Sequence, residues 1–302
     1  MDLTKLRVLA AVAREGSVTA AADALGYAQP SVSHHLARLE EETGVPLVQR
    51  AGRGIRLTEA GRLLAERAEE ILGRVTSARA ELAALAGLQT GRVRLAAFPT
   101  ALALLVPPAA ALLRRTHPGV ELALTQAEPP EALAALRRGE VDVAVTFDHH
   151  DRPQPGLLHV TMTPLLTEPI YLVTPRGETG EPKEQTPDLS AYATTRWITG
   201  CERCRAHLLA SCARAGFTPS IGFETDDYVA VQALVAAGMG VSTLPGLALK
   251  AHRDPAVRIH RLPDDHRYVS TAVYGKPPAP APVQALLDAV RKVAGLPQRW
   301  PR

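Results

Sequence analysis

Polar and basic side chains near the N-terminus are spaced so that they could bind a nucleic acid. Gln29 opens a predicted helix, where its amide could form two hydrogen bonds with the edge of an adenine. Arg50, Arg53 and Arg56 follow one another closely among glycines, and guanidinium groups suit phosphate oxygens. Residues 1–61 hold as many acidic as basic side chains, so binding must depend on where the charges lie.

A second group of reactive side chains is the pair Cys201 and Cys204, which has Cys-x-x-Cys spacing at the start of a predicted helix. The positive end of the helix and the neighbouring arginines would lower the pKa of these thiols. Three interpretations are open: thiols that pack or line a ligand site, a redox-sensitive pair, or a metal site together with His207. The remaining cysteine, Cys212, is more than two helical turns from Cys204, which is too far for direct bridging.

The elements that must position the first group are short helices. Residues 2–14 have a helical hydrophobic pattern. Ser17 is a good N-cap for the next helix, and Gly26 can adopt the left-handed conformation that ends it. Pro30 falls in the first turn of a third helix, where its missing N–H does no harm. With the basic hairpin that follows, this order predicts a winged helix-turn-helix, which places one helix in the major groove of DNA.

The third helix is predicted to present two different faces. Val32, Leu36 and Leu39 recur at helical spacing and should face the core, so the remaining positions point away from it. A solvated polar face is the alternative interpretation of these positions. The residues predicted to contact DNA are Gln29, Pro30, Ser33, His34, Arg38, Arg50, Arg53 and Arg56.

A long helix is predicted to begin at Glu59, with Thr58 as a plausible cap. Its apolar residues recur alternately every four and three positions, a heptad pattern that indicates self-association. The alternative is a helix that lies on its own domain. At about 1.5 Å per residue, roughly 30 residues would span about 45 Å. The residues of this predicted dimer seam are Leu64, Ala68, Ile71, Val75, Ala78, Leu82 and Leu85.

From Gly91 onward, predicted strands alternate with predicted helices, including one helix over residues 100–116, which indicates an α/β domain with a parallel sheet. Such sheets bind ligands beyond the carboxyl ends of their strands, often at helix N-termini. Unpaired N–H groups and hydroxyls at these positions favour a small, anionic ligand, and capping is the alternative role for the threonines. The residues predicted to contact this ligand are Phe98, Thr100, Phe147, Thr199, Cys201 and Thr225.

Composition limits the possible classes of protein. The 302 residues suggest about two domains, and a hydrophobic content of 46% allows sizeable cores. We find no phosphate-binding glycine loop, metalloprotease motif or nucleophile elbow, so we predict no catalytic residue, cofactor or metal. The longest apolar run, residues 101–113, contains two prolines and is too short to span a bilayer. No secretory signal pattern is present, so we expect a cytoplasmic protein without a membrane partner.

Several motifs together resemble the LysR-type transcriptional regulators. The N-terminal motifs are Gly16-Ser17-Val18-Thr19-Ala20-Ala21-Ala22, Gln29-Pro30-Ser31-Val32-Ser33 and Leu57-Thr58-Glu59-Ala60-Gly61. Later motifs are His117-Pro118-Gly119-Val120, Gly139-Glu140-Val141-Asp142-Val143 and Leu234-Val235-Ala236-Ala237-Gly238-Met239-Gly240. The resemblance implies a DNA-binding domain over residues 1–58, a linker helix over 59–88 that makes the dimer, and an effector domain over 91–302.

The resemblance also implies how the effector domain is built. It would be an α/β domain like the type 2 periplasmic binding proteins, with a first lobe of residues 91–165 and 267–302 and a second lobe of residues 166–266. The effector would lie between the lobes, and Thr100 matches a position where the family commonly has an effector-contacting Ser or Thr.

The function implied is that of an effector-controlled transcriptional regulator rather than an enzyme. Its expected partners are double-stranded DNA, a second copy of the chain in a dimer or a dimer of dimers, a small anionic effector and RNA polymerase. The alternative is a redox-sensing regulator, or a redox-active protein, that uses Cys201 and Cys204.

Overall fold

The structure of the protein is a computed structural model that describes residues 1–51, 54–85, 91–149, 159–176, 188–275, 277–297 and 300–301. Within helix residues 59–85, the side chains at 77, 80, 81 and 83–85 lie outside the described part. The described residues form two compact units: Met1–Leu88 with Ala134–Glu140, and Gln89–Leu133 with Val141–Arg302.

Three helices, a hairpin and a long helix make up most of the first unit. Their bounds are α1 (Leu3–Glu15), α2 (Val18–Leu25), α3 (Gln29–Thr43), β1 (Val48–Ala51), β2 (Gly54–Leu57) and α4 (Glu59–Leu85). The order and bounds of these elements confirm the predicted winged helix-turn-helix.

Local signals set the helix ends of this unit. The hydroxyl of Ser17 accepts a hydrogen bond from the Ala20 N–H at 3.0 Å, which caps α2. Gly26 has a φ of 65° and ends the same helix, as predicted. Pro30 lies in the first turn of α3. The core between the helices is aliphatic and includes Val8, Leu9, Val12, Ala21, Val32, Leu36 and Leu39.

The first turns of α4 pack within their own chain. The Gly61 N–H donates to the Thr58 hydroxyl at 3.0 Å, so Thr58 caps the helix as predicted. Further along the helix, Ala68 is completely buried in a cluster with Leu6 and Ala10 of α1. A side chain that is fully buried within one chain has no surface left for a partner.

The predicted dimer seam is therefore divided. Leu64 and Ile71 pack against the same α1 cluster and are half-buried, so only part of each side chain is left for a partner. Val75 is half-buried, whereas Ala78 and Leu82 are exposed, Leu82 to 67%. The side chain of Leu85 lies outside the described residues.

From Arg92 onward strands and helices alternate, and they belong to the second unit except for Ala134–Arg137 at the end of α7. The bounds are β3 (Arg92–Ala97), α5 (Pro99–Leu104), α6 (Val106–Thr116), β4 (Glu121–Gln126), α7 (Pro129–Arg137), β5 (Val143–Asp148), β6 (Val160–Pro175), β7 (Arg196–Thr199), α8 (Glu202–Arg214), β8 (Ser220–Glu224), α9 (Tyr228–Ala236), β9 (Val241–Pro245), α10 (Gly246–Ala251), β10 (Val257–Tyr274) and α11 (Ala281–Ala294). A short 3-10 helix covers Leu189–Tyr192. No helix in the ranges given above is both long and apolar enough to cross a membrane.

These strands form a mixed sheet, not the fully parallel sheet expected. Among the described residues it has eight strands in the order β4-β3-β5-β10-β6-β9-β7-β8. The outer strands pair in parallel, but β6 and β10 run antiparallel to each other through the middle. The reason is that the chain passes from one half of the sheet to the other along β6 and returns along β10.

The predicted helix over residues 100–116 is two helices. α5 and α6 meet at Leu105, because Pro107 and Pro108 carry no N–H and are accommodated in the first turn of α6. The break leaves α5 as a short helix directly after β3. Pro99 and Thr100 at its start therefore lie just beyond the carboxyl end of that strand.

Candidate DNA-binding surface and effector cavity

The face of α3 opposite the core carries the residues predicted to contact DNA. Val32, Leu36 and Leu39 are buried, as predicted. The exposed set on this helix comprises Gln29, Pro30, Ser33, His34 and Arg38. Ala28 precedes the helix and makes no side-chain capping bond, so the N–H groups of the first turn are not satisfied by that side chain. This helix end can therefore approach a phosphate as well as a base.

Arg38 has an intramolecular ion pair on this face. Its Nη1 donates to a carboxylate oxygen of Glu41 at 2.9 Å, and both side chains are largely exposed. An exposed pair of this kind is weak, so Arg38 can leave Glu41 for a phosphate at small cost.

The hairpin is attached to α3 by one carboxylate. Oε1 of Glu40 accepts hydrogen bonds from the N–H groups of Leu47 at 2.7 Å and Val48 at 3.0 Å. Since Glu40 lies on α3 and the two N–H groups lead into β1, this contact fixes where the hairpin emerges.

The hairpin register separates its arginines. Arg50 pairs with Ile55, and Arg56 pairs with Gln49. Paired residues share a face and neighbouring residues alternate, so Arg50 and Arg56 lie on opposite faces of the hairpin. Both are exposed, whereas Arg53 lies outside the described residues. Arg50 and Arg56, the described arginines of the predicted basic wing, therefore point to opposite sides of the hairpin.

A small cavity of about 60 Å³ lies within the second unit, at the carboxyl ends of strands from both halves of the sheet. We call it the effector cavity. The residues that line it are Phe98, Pro99, Thr100, Glu128, Phe147, Gly200, Cys201, Cys204, Thr225, Asp226, Tyr228, Val231, Thr243, Leu244, Pro245, Ala248 and Arg267. Five of the six residues predicted to contact a ligand are therefore brought together.

A buried ion pair lies at one side of the effector cavity. Nε of Arg267 donates to Oε1 of Glu168 at 2.7 Å, and Nη2 of Arg267 donates to the Thr100 hydroxyl at 2.9 Å. Glu168 is fully buried and also accepts the Leu247 N–H at 2.7 Å. Burial raises the pKa of Glu168, and Arg267 opposes that rise. The two charged residues face each other across β6 and β10, where the chain passes between the halves of the sheet.

Two aromatic rings support the guanidinium group. The rings of Phe98 and Phe147 meet edge to face at 4.9 Å between centroids. The Arg267 Cζ lies 4.8 Å from the first centroid and 4.3 Å from the second, within the range of cation–π attraction. Both rings are almost completely buried, so they fix the position of the arginine that reaches the cavity.

Thiols and carboxyl groups form another side of the cavity. The Cys201 thiol donates to Sγ of Cys204 at 3.3 Å. This hydrogen bond lowers the pKa of Cys204, with Arg267 adding to the effect, while the same contact and burial raise the pKa of Cys201. Burial, with Cys201 nearby, raises the pKa of Glu128 to about 8. Desolvation also raises the pKa of Asp226.

One of the predicted ligand contacts, Thr199, needs revision. Thr199 is 2% exposed and does not line the cavity; its carbonyl accepts the Thr225 N–H at 2.9 Å. Thr225 does line it, but its hydroxyl also accepts the Asp227 N–H at 3.2 Å. Asp227, not Thr225, caps α9. The hydroxyl of Thr100 bonds to Arg267. Neither Thr225 nor Thr100 is therefore a simple helix cap.

The charges of the cavity do not single out an anion. Arg267 is already paired with Glu168, and Glu128 and Asp226 bring further carboxyl groups. Arg203 does not contribute its charge there, because its Nη1 donates to the Phe147 carbonyl at 3.0 Å and to Asp148 at 3.2 Å.

Sequence reasoning missed the charged residues of this site. Glu128 follows β4 at the ligand-binding edge, so the rule that selected Thr100 could have selected it too. Glu168 is a single charge within an apolar segment where the chain passes between the proposed lobes, so it could have been selected. Arg267 closely follows two aspartates and had no such signal. Asp226 had no such signal, because exposed acidic residues before a helix are common.

A separate cluster involves His207, which was considered as a metal ligand with the cysteines. Its Nε2 lies 2.7 Å from Oδ1 of Asp265, and its ring stacks on that of His149 with centroids 3.9 Å apart. His207 therefore belongs to a different group of side chains from Cys201 and Cys204. His149 is half-buried.

Comparison with known proteins finds two family models along the chain. Residues 3–62 match the family model for the bacterial regulatory helix-turn-helix protein, lysR family, and residues 86–295 match the LysR substrate binding domain. The chain is 30% identical to a hydrogen peroxide-inducible genes activator of Dickeya chrysanthemi, over 84% of this chain and 82% of that protein. It is 29% identical to the probable HTH-type transcriptional regulator LrrA of Synechococcus elongatus, over 97% and 98% of the two chains.

A solved structure has the same fold along nearly the whole chain. CbnR, a LysR family transcriptional regulator also solved with its target DNA, matches with a TM-score of 0.61 and 24% identity, covering 97% of this chain and 99% of CbnR. With both domains and their order matched, this chain belongs to the LysR family of DNA-binding transcriptional regulators.

Proposed function

We propose that this protein controls transcription in response to a small molecule bound in the effector cavity. The observation that carries the proposal is that buried polar side chains, Thr100 and Arg267, converge on a cavity lined by both halves of the sheet. With the lobes taken as residues 91–165 with 267–302 and 166–266, a ligand there touches both. It therefore favours one lobe arrangement over others by its difference in affinity for them.

DNA binding is assigned to the exposed face of α3 and the wing. Gln29, Ser33 and His34 are positioned to reach base edges, and Arg38, Arg50 and Arg56 to bind phosphates. Arg53, which lies outside the described residues, is assigned to phosphate from the sequence alone. The exposed part of the seam, Val75 to Leu82, is proposed as the dimer contact, which would let two heads bind two half-sites. Such a regulator acts in the cytoplasm on chromosomal DNA, where RNA polymerase is its further partner.

The test of the effector proposal compares two threonine variants. Thr100→Val removes the hydroxyl that bonds to Arg267, whereas Thr271→Val removes a buried hydroxyl in the same unit whose contact with the Thr163 carbonyl is long, 3.4 Å. A panel of organic acids, neutral polar molecules and metal ions is titrated while the DNA-bound fraction and the melting temperature are followed. The expected result is a responding ligand for the wild type and Thr271→Val, and no response for Thr100→Val.

A ligand response that does not depend on Thr100 would contradict the effector proposal. A Thr100→Val protein that responds like the wild type would show that the effector lies elsewhere. Response to anions alone would support the anionic class expected from the sequence, and response to neutral or cationic ligands would replace it.

A second candidate function is redox control through Cys201 and Cys204, favoured by the 3.3 Å between their sulfur atoms and by the lowered pKa of Cys204. A hydroperoxide would supply the oxidising equivalents. The Cys204 thiolate attacks one peroxide oxygen, the O–O bond breaks, and an alcohol or water leaves with a proton. The Cys201 thiol then displaces the sulfenic hydroxyl as water, forming the disulfide. One relative is named a hydrogen peroxide-inducible genes activator.

This candidate is tested with two serine variants. Cys204→Ser should lose any peroxide-induced change in DNA binding, and Cys212→Ser, which removes a fully buried thiol elsewhere on α8, should keep it. Peroxide response retained by Cys204→Ser would exclude the thiol pair as the sensor.

A further inference from the structure

Three potential metal-ligating side chains meet at one wall of the effector cavity, and a fourth, Cys204, contacts one of them. Ligand atoms of Glu128, Cys201 and Asp226 all lie within 4.8 Å of one another. Sγ of Cys204 is 3.3 Å from Sγ of Cys201. The four residues come from three separate places along the chain: the segment after β4, the start of α8 and the segment before α9. Their meeting is a property of the fold rather than of one sequence motif.

This wall gathers acidic groups without a cation of its own. Oε2 of Glu128 is shielded from solvent and has no hydrogen-bond partner among the described residues. A buried carboxyl oxygen without a partner is costly to keep. Arg267 does not relieve this cost fully, because its Nε and Nη2 are used by Glu168 and Thr100. A cation bound among these groups would satisfy the unpaired oxygen and offset the mutual repulsion of the acids.

We propose that Cys201, Cys204, Glu128 and Asp226 bind a thiophilic divalent metal ion of the zinc class. Two thiolates and two carboxylate oxygens are a ligand set that zinc accepts in tetrahedral geometry. With Zn–S bonds of about 2.3 Å, tetrahedral angles place the two sulfur atoms about 3.8 Å apart. The observed 3.3 Å must open by about 0.5 Å, and Sγ of Cys204 must approach the carboxylates, when the ion binds.

The ion has a consequence for regulation that rests on the proposed function. Glu128 belongs to the first proposed lobe, and the cysteines and Asp226 belong to the second. An ion held by all four would tie the lobes together in the arrangement that brings the ligands into contact. Binding also releases the thiol protons, since the thiolate is the form that ligates.

Cobalt is the probe for this site. The reduced full-length protein is titrated with Co²⁺, and the expected result is thiolate-to-cobalt charge-transfer absorption that saturates at one ion per chain. Added Zn²⁺ should abolish the absorption by displacing cobalt. Wild-type protein that shows no charge-transfer band with Co²⁺ and no competition by Zn²⁺ overturns the proposal.

Single substitutions test whether each of the four proposed ligands binds the metal. Cys201→Ser and Cys204→Ser should each weaken the band, and the double serine variant should abolish it. Glu128→Gln and Asp226→Asn should each weaken cobalt affinity by at least about tenfold, since even residues outside the ligand set cost 10–100-fold when changed. The controls are Cys212→Ser and Glu121→Gln, the latter an exposed carboxylate at the other end of β4. Cobalt affinity unchanged in both Glu128→Gln and Asp226→Asn overturns the site.

Measuring the DNA-bound fraction separates this proposal from the effector proposal. Zinc binding that changes the DNA-bound fraction supports both. Zinc binding with unchanged DNA binding keeps the metal site and overturns its role in regulation. A DNA response to an organic ligand in a protein that binds no metal overturns the metal site and leaves the effector proposal standing.

Discussion

Replacing Arg267 with methionine should destabilise the second unit, because it leaves the Glu168 carboxylate buried without its cation. The side chains of Glu168 and Arg267 are 0% and 4% exposed, so water cannot replace the lost partner. Removing one partner of a buried ion pair costs about 3–5 kcal/mol. Methionine has a similar length and an apolar stem, so the loss of packing against Phe98 and Phe147 adds little to this cost.

The matched variant is Glu168→Gln, studied alone and together with Arg267→Met. The amide keeps an oxygen that can accept the Leu247 N–H but carries no charge. The double variant should therefore be more stable than Arg267→Met alone, with a coupling energy of about 2 kcal/mol between the two changes.

The destabilisation should also depend on pH with a defined sign. Without Arg267, burial raises the folded-state pKa of Glu168 further above its unfolded value. The folded state then binds more protons than the unfolded state, so its stability falls as pH rises through the folded pKa. The deficit of Arg267→Met should shrink on acidification towards the ordinary carboxyl pKa.

Urea unfolding followed by tryptophan fluorescence measures these effects. Both tryptophans of the sequence, Trp197 and Trp300, lie in the second unit, so the signal reports that unit. A free energy of unfolding for Arg267→Met within about 1 kcal/mol of the wild type would refute the reasoning. So would a double variant whose destabilisation equals the sum of the two single changes.

The remaining predictions concern the first unit. Gln29→Ala should cost about 1–3 kcal/mol on the specific DNA site and relax sequence preference; equal weakening on random DNA, measured by fluorescence anisotropy, would show that it reads no base. Arg56→Ala should weaken binding to all sequences alike and lower the salt slope by about one, and an unchanged slope would remove it from the phosphate contacts. Leu82→Asp should dissociate the dimer by placing a charge in an apolar contact. Leu63→Asp, also at an exposed leucine of α4, should not. Sedimentation measures the oligomeric state, and a dimeric Leu82→Asp protein would exclude this end of the seam. Gly61→Ala should destabilise the first unit by about 1–3 kcal/mol, because a Cβ there collides with the Leu47 backbone carbonyl. A circular-dichroism melting curve like that of the wild type would contradict the collision.

Changing Ile71 would not test the dimer. Ile71 packs against α1 in its own chain, so an aspartate there would disturb the head as well as any partner contact. Leu82 avoids this ambiguity because it is exposed. The heptad pattern alone did not distinguish the two positions, since both belong to the same apolar stripe.

The sequence by itself determined the features that depend on near neighbours. Ser17, Gly26 and Pro30 place the ends of α2 and α3, because capping, left-handed turns and missing N–H groups act within a few residues. The motifs also sufficed to identify the family and its two-part order. Lengths of elements were less certain, as the division of one predicted helix at Leu105 shows.

The tertiary structure alone decided which surfaces and side chains meet. The apolar stripe on α4 predicts that this face of the helix is buried, but it does not indicate whether α1 or another chain buries it. Likewise, the spacing of Cys201 and Cys204 predicted a thiol pair, while the carboxyl groups of Glu128 and Asp226 are remote in sequence and join it only when strand ends converge. Such contacts depend on the path of the whole chain, so the local hydrophobic periodicity of the sequence does not predict them.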